Sequence, residues 1–72
     1  MVSKILNGIT KNNVSLHNES YVITILNKKY MLSPDGTKLS VLNGSDSIIL
    51  NNVSKNDVTT IFNKCNSVYG TH

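Results

Sequence analysis

The 72-residue chain carries a formal net charge of +3, and at this size one hydrophobic core supplies only about 3–5 kcal/mol of stability. Its one cysteine excludes an intrachain disulfide framework, and no His or Cys spacing suits a metal, so neither a metal nor another cofactor is expected and the compartment is expected to be reducing. Every basic side chain except histidine is a lysine, and the lack of arginine argues against bidentate reading of bases or phosphates.

Alanine, glutamine and tryptophan are also absent, while asparagine, serine, isoleucine and lysine dominate. Such a bias is expected from an AT-rich coding sequence, as in low-GC bacteria, plasmids or phages. Residues 1–11 break their apolar positions with Ser3, Lys4, Asn7 and Thr10, so they contain no apolar core of a secretory signal. No run of the sequence is long and apolar enough to cross a bilayer, and a soluble, cytoplasmic chain is expected.

Residues 1–13 admit two readings. Val2, Ile5, Leu6 and Ile9 match a helical stripe, while Asn7-Gly8 between apolar pairs is a two-residue hairpin signal, and the hairpin is preferred. Lys11-Asn12-Asn13 reads as a loop, Val14–His17 as a short strand, and Asn18-Glu19-Ser20 as a turn. Tyr21–Leu26 and Lys29–Ser33 read as strands around a tight Asn27-Lys28 turn, with Ile25 opposite Tyr30 and Ile23 opposite Leu32. Pro34-Asp35-Gly36-Thr37 is the next turn, pairing Leu32 with Leu39 and Tyr30 with Val41. A connection over Asn43–Asp46 then pairs Val41 with Ile48 and Leu39 with Leu50.

Those registers collect Tyr21, Ile23, Ile25, Tyr30, Leu32, Leu39, Val41, Ile48 and Leu50 on one sheet face. The final segment should cover it. Ser54 and Asp57 read as the Asp variant of a capping box, the Ser54 hydroxyl meeting the Asp57 N–H and the carboxylate reaching back, Val53 and Val58 form a hydrophobic staple, and Val58, Ile61, Phe62, Cys65, Val68 and Tyr69 recur as one helical stripe that stops at Gly70. The expected architecture is α+β: an antiparallel β-meander of about five or six short strands over residues 14–51, with a C-terminal helix over 54–69 packed on one face, in a single domain spanning 1–72.

The opposite face carries Lys29, Ser33, Lys38, Ser40 and Ser47, together with Val22, Leu26, Met31, Leu42 and Ile49. One helix cannot cover both faces. Either Ile5, Leu6, Ile9 and Leu16 fold over this second set, or it is a contact patch with Lys29 and Lys38 on its rim.

Catalytic groups are few. Asp57 is taken by the cap, Asp35 and Asp46 fall in turns, and the His17 and Glu19 pair lacks a third partner. Cys65 with His17 as base is the other candidate, but a thiol in an apolar stripe behaves as a small core residue. His72 supports no site. The sequons at Asn13, Asn18, Asn43 and Asn52 follow from the abundance of asparagine and serine.

The functional expectation is a small non-enzymatic protein–protein interaction module of phage or mobile-element type. It would inhibit a host or viral protein by binding and occluding it through Val22, Leu26, Lys29, Met31, Lys38, Leu42 and Ile49. A homodimer, through strand edges or through the second face, is a further expectation from size. The alternative is a sequence-independent nucleic-acid accessory protein using Lys4, Lys11, Lys28, Lys29 and Lys38, although the expected registers turn Tyr21 and Tyr30 towards the helix and away from bases.

Overall fold

The computed structural model describes residues 2–70, with Val2 for its backbone only; His72, and the Val2 side chain in the N-terminal stripe, lie outside the described residues. The elements are α1 (Val2–Gly8), β1 (Val14–His17), β2 (Ser20–Ile25), β3 (Lys28–Leu32), β4 (Leu39–Asn43), β5 (Asp46–Ile49) and α2 (Lys55–Tyr69). The strands form one antiparallel sheet in chain order, and α2 packs on it, giving the expected α+β meander with a C-terminal helix.

The start of α2 follows from its cap. Ser54 is extended at φ −69°, ψ 157°, and its hydroxyl accepts from the Asp57 N–H at 3.2 Å. Such a cap contributes about 1 kcal/mol. The Asp57 carboxylate does not return a bond to the Ser54 N–H among the described hydrogen bonds, so it helps only by lying in the first turn, near the positive end of the helix dipole. Val58, Ile61 and Cys65 are buried, and Phe62, Val68 and Tyr69 pack against the same core. Gly70 follows the last helical residue as expected, at φ −76°, with its N–H donating to the Asn66 carbonyl.

The preferred N-terminal hairpin is not formed. The segment is the helix α1, because Ile5 and Ile9, one turn apart, enter the main core together. Gly8 serves close approach instead of a hairpin turn: a Cβ there would lie 2.9 Å from the Ile25 Cδ1. Asn13 secures the exit. Its side-chain amide donates to the Gly8 carbonyl, its Oδ1 accepts from the Thr10 N–H at 2.7 Å, and its own carbonyl accepts from the Thr24 N–H at 2.9 Å.

Within the sheet, Leu32 pairs with Leu39, Tyr30 with Val41 and Val41 with Ile48, as expected. The β4–β5 turn is tighter than the expected connection, since Asn43 still pairs with Asp46 and only Gly44 and Ser45 lie between them. The β1–β2 turn is likewise two residues, Asn18-Glu19, and Ser20 already belongs to β2. The β2–β3 register differs by two residues: Ile23 faces Tyr30 and Ile25 faces Lys28, around a Leu26-Asn27 turn at φ 48° and 68°. A turn of this type requires positive φ at both central residues. Either choice of turn places an ill-suited side chain there, and the structure takes Leu26 instead of Lys28.

A shift of two leaves the side chains that remain paired on their expected faces. Ile23, Leu32 and Leu39 are fully buried beneath α2, and Ile5, Ile9 and Val14 complete the core beside them. Tyr21 crosses to the helix, donating from its hydroxyl to Asn66 Oδ1 at 2.6 Å and standing edge-on to Phe62 and Tyr69 at 5.8 and 5.7 Å. Burial raises its pKa, with Cys65 and Tyr69 adding to the shift.

Candidate functional site: the uncovered sheet face

Both helices lie on the same side of the sheet. α1 contacts α2, Gly8 abuts Ile25 on the helix-facing side, and Ile5 and Ile9 share the core with Ile23 and Cys65. The reading in which Ile5, Leu6, Ile9 and Leu16 fold over the second face is therefore set aside. Leu16, paired with Tyr21, also belongs to the helix-facing side, where it remains partly exposed.

On the opposite face the registers place Ser15, Val22, Met31, Ser40 and Ile49 in one row across all the strands. The neighbouring row is Thr24, Lys29, Leu42 and Ser47. Val22 and Ser40 are shielded by their neighbours, Met31 and Leu42 are half-buried, and Ile49 is 48% exposed. Lys29 lies in the second row, and Lys38, just before β4, is exposed at the end of the sheet on this side. No strand presents a carboxylate here: Glu19 and Asp35 sit in turns, Asp46 falls on the other face, and Asp57 is on α2.

Leu26 does not belong to this face. It projects from the tip of the β2–β3 hairpin, 91% exposed at positive φ, because the turn takes it out of the strand. Of the residues expected at a partner surface, Val22, Lys29, Met31, Lys38, Leu42 and Ile49 are thus brought to one side, and Leu26 stands apart at its margin.

The structure also locates the groups weighed for chemistry. Asp35 is consumed by its turn, where one carboxylate oxygen accepts from Ser33 Oγ at 2.6 Å, Thr37 Oγ1 at 2.8 Å and the Thr37 N–H at 3.2 Å. The side-chain bonds from Ser33 and Thr37, then the Thr37 N–H, hold its pKa down at about 2. His17 and Glu19 are both exposed, with no hydrogen bond or ion pair between them among the described interactions. His17 shares a face with Ser15 and Val22, whereas Cys65 is buried beneath α2 on the other side, so the sheet separates thiol from imidazole.

Burial pushes the Cys65 thiol up to about 11. Its labelling by iodoacetamide at neutral pH is expected to be at least ~100-fold slower in the native protein than in denaturant, since thiolate and access are both scarce. Native-state labelling at the denatured rate would place the sulfur at an open, reactive site.

Comparison with protein-family models, curated proteins and solved structures finds no match. No helix among the described residues is long and apolar enough to cross a membrane, and no group of three or more His, Cys, Asp or Glu among them is placed to hold a metal ion.

Proposed function

We propose that this chain is a small non-enzymatic protein-binding module that works in the cytoplasm and occludes a host or viral protein with its uncovered sheet face. The composition bias supports a phage or mobile-element source, and inhibition of the bound protein is the proposed consequence. One observation carries the reading: after both helices have docked on one side, Val22, Met31, Leu42 and Ile49 remain side by side on the other, with lysines and no carboxylate. An apolar centre with a charged margin is the usual organisation of a protein interface. The surface is suited to a partner with an apolar patch and an acidic rim.

The scattered lysines support the nucleic-acid alternative less well, because Tyr21 bonds to α2 and Tyr30 packs against the core, which leaves no aromatic platform on the uncovered face. The test uses the immobilised chain, its Met31→Asp/Leu42→Asp variant and an Asn63→Asp control on the exposed side of α2, each exposed to lysate of the native host. Proteins held by the chain and the control are expected to be lost at least ~100-fold by the double variant, as for central interface residues. Retention by the double variant, with its melting temperature unchanged, would remove the face from the reading. Oligonucleotide binding that weakens steeply with salt would favour the alternative.

A further inference from the structure

β5 is the last strand of the sheet, and all its residues are exposed. Its backbone polarity follows from one bond. The Leu50 N–H donates to the Leu39 carbonyl at 2.8 Å, so Leu39 and Leu50 form a hydrogen-bonded pair. Antiparallel alternation then turns the backbone groups of Ile48 and Asp46 towards β4 and those of Ser47 and Ile49 outward. Such an edge is normally blunted by lysine, proline, a bulge or a covering loop. β5 is only four residues long and carries one charge, Asp46 at its start, but it has no lysine, proline or bulge: its sequence is Asp-Ser-Ile-Ile, paired without interruption to β4, and Ile48 and Ile49 are 52% and 48% exposed on opposite faces.

The charges around the strand indicate what it pairs with. Asp46 stands at its start on the helix-facing side, while Lys55, at the start of α2, lines the hollow around Leu50 and Asn51 at its end on the same side. Two copies of this strand laid antiparallel bring each Asp46 to the lysine end of the other copy. A parallel arrangement would instead set like charges together.

We infer that β5 pairs with β5 of a second copy about a two-fold axis at Ile48, joining the two sheets into one. In this register Ser47 of each copy faces Ile49 of the other, and each pair exchanges N–H and C=O bonds. The two Ile48 side chains meet across the seam in the close, non-hydrogen-bonded position, and Asp46 reaches Leu50 of the second copy, on the helix-facing side where its Lys55 lies. A short seam buries on the order of 1,000 Å² in total or less, the size of weak and transient contacts, which suits a reversible dimer. The inference stands apart from the uncovered-face reading, because the contact is the strand edge.

The experiment is sedimentation velocity from about 10 µM to about 1 mM, on the full chain and on variants. The wild-type chain is expected to dimerise with rising concentration, with amide exchange at Ser47 and Ile49 slowing in step. Ser47→Pro removes an outward N–H without touching the β4 ladder and is expected to be monomeric throughout. Asp46→Lys, an exposed change, is expected to raise Kd at least tenfold, and adding Lys55→Glu should restore it. Met31→Asp should dimerise as the wild type does, which separates this seam from the uncovered face. A wild-type chain still monomeric at 1 mM would overturn the inference. So would a dimer that survives Ser47→Pro and Asp46→Lys, or one lost only with Met31→Asp.

Discussion

Gly36→Ala is expected to lower stability by about 2–4 kcal/mol, most of what a domain of this size possesses. Two costs combine. Gly36 has φ 73°, where an L side chain is strained, and a Cβ there would lie 2.7–2.8 Å from ring atoms of Phe62. The ring has little room to yield, because it stands edge-on to Tyr21, which is itself bonded to Asn66. Gly44 is an internal control: its φ is 64°, yet nothing lies within 4 Å of the added carbon. Gly44→Ala should therefore show the backbone cost alone, about 1 kcal/mol. Phe62→Leu introduced with Gly36→Ala should recover part of the difference. Urea titration of the four proteins gives the comparison, and a Gly36→Ala chain no weaker than Gly44→Ala would show that the turn does not press on α2.

The same turn shows what a single sequence makes legible. Pro34 to Thr37 announces itself by residue type, and because its length sets the pairing, the β3–β4 register was readable down to Leu32 opposite Leu39. The β4–β5 register followed from matching Val41 to Ile48, although the turn itself closes more tightly than expected. Between β2 and β3 the same logic had less to work with. A period-two pattern is unchanged by a shift of two, so alternation identified the faces of Ile23 and Tyr30 but not which residues stand opposite one another.

α1 departs from its local sequence signal for a different reason. Asn7-Gly8 is a strong local hairpin signal, and what outweighs it is tertiary: Ile5 and Ile9 bury against the core, and Gly8 lets the helix end approach Ile25. Local pattern contains neither fact. Which side chains share the second face was legible because it follows from side-chain parity, whereas that α1 leaves it uncovered depended on where that helix docks, and the departure of Leu26 from it on a turn that residue preference could not choose. The opposed charges at the two ends of β5 were not legible, since Lys55 reaches the Leu50 end only after α2 has docked.

Ile61→Ala should be the second severe change, at about 2–5 kcal/mol, the range for truncating a fully buried aliphatic side chain. The expected result is also qualitative. α2 presents Asn56, Thr59, Thr60, Asn63 and Ser67 away from the core, a face with poor intrinsic helix propensity, so the helix holds its shape through docking. The sheet depends on α2 in turn, because Ile23, Leu32 and Leu39 have their cover there. Weakening the contact at Ile61 should therefore shift helix and sheet together. Far-UV circular dichroism, which follows the helix, and the amide NMR signals of Ile23 and Leu32, which follow the strands, are expected to give coincident thermal transitions, both at lower temperature. Thr60→Ala, on the exposed side of the same helix, gives up a 2.9 Å bond to the Asn56 carbonyl but gains propensity, and should stay within about 0.5 kcal/mol of wild type. Separate transitions in Ile61→Ala, with α2 melting from a sheet that persists, would show that the strands hold together without the helix.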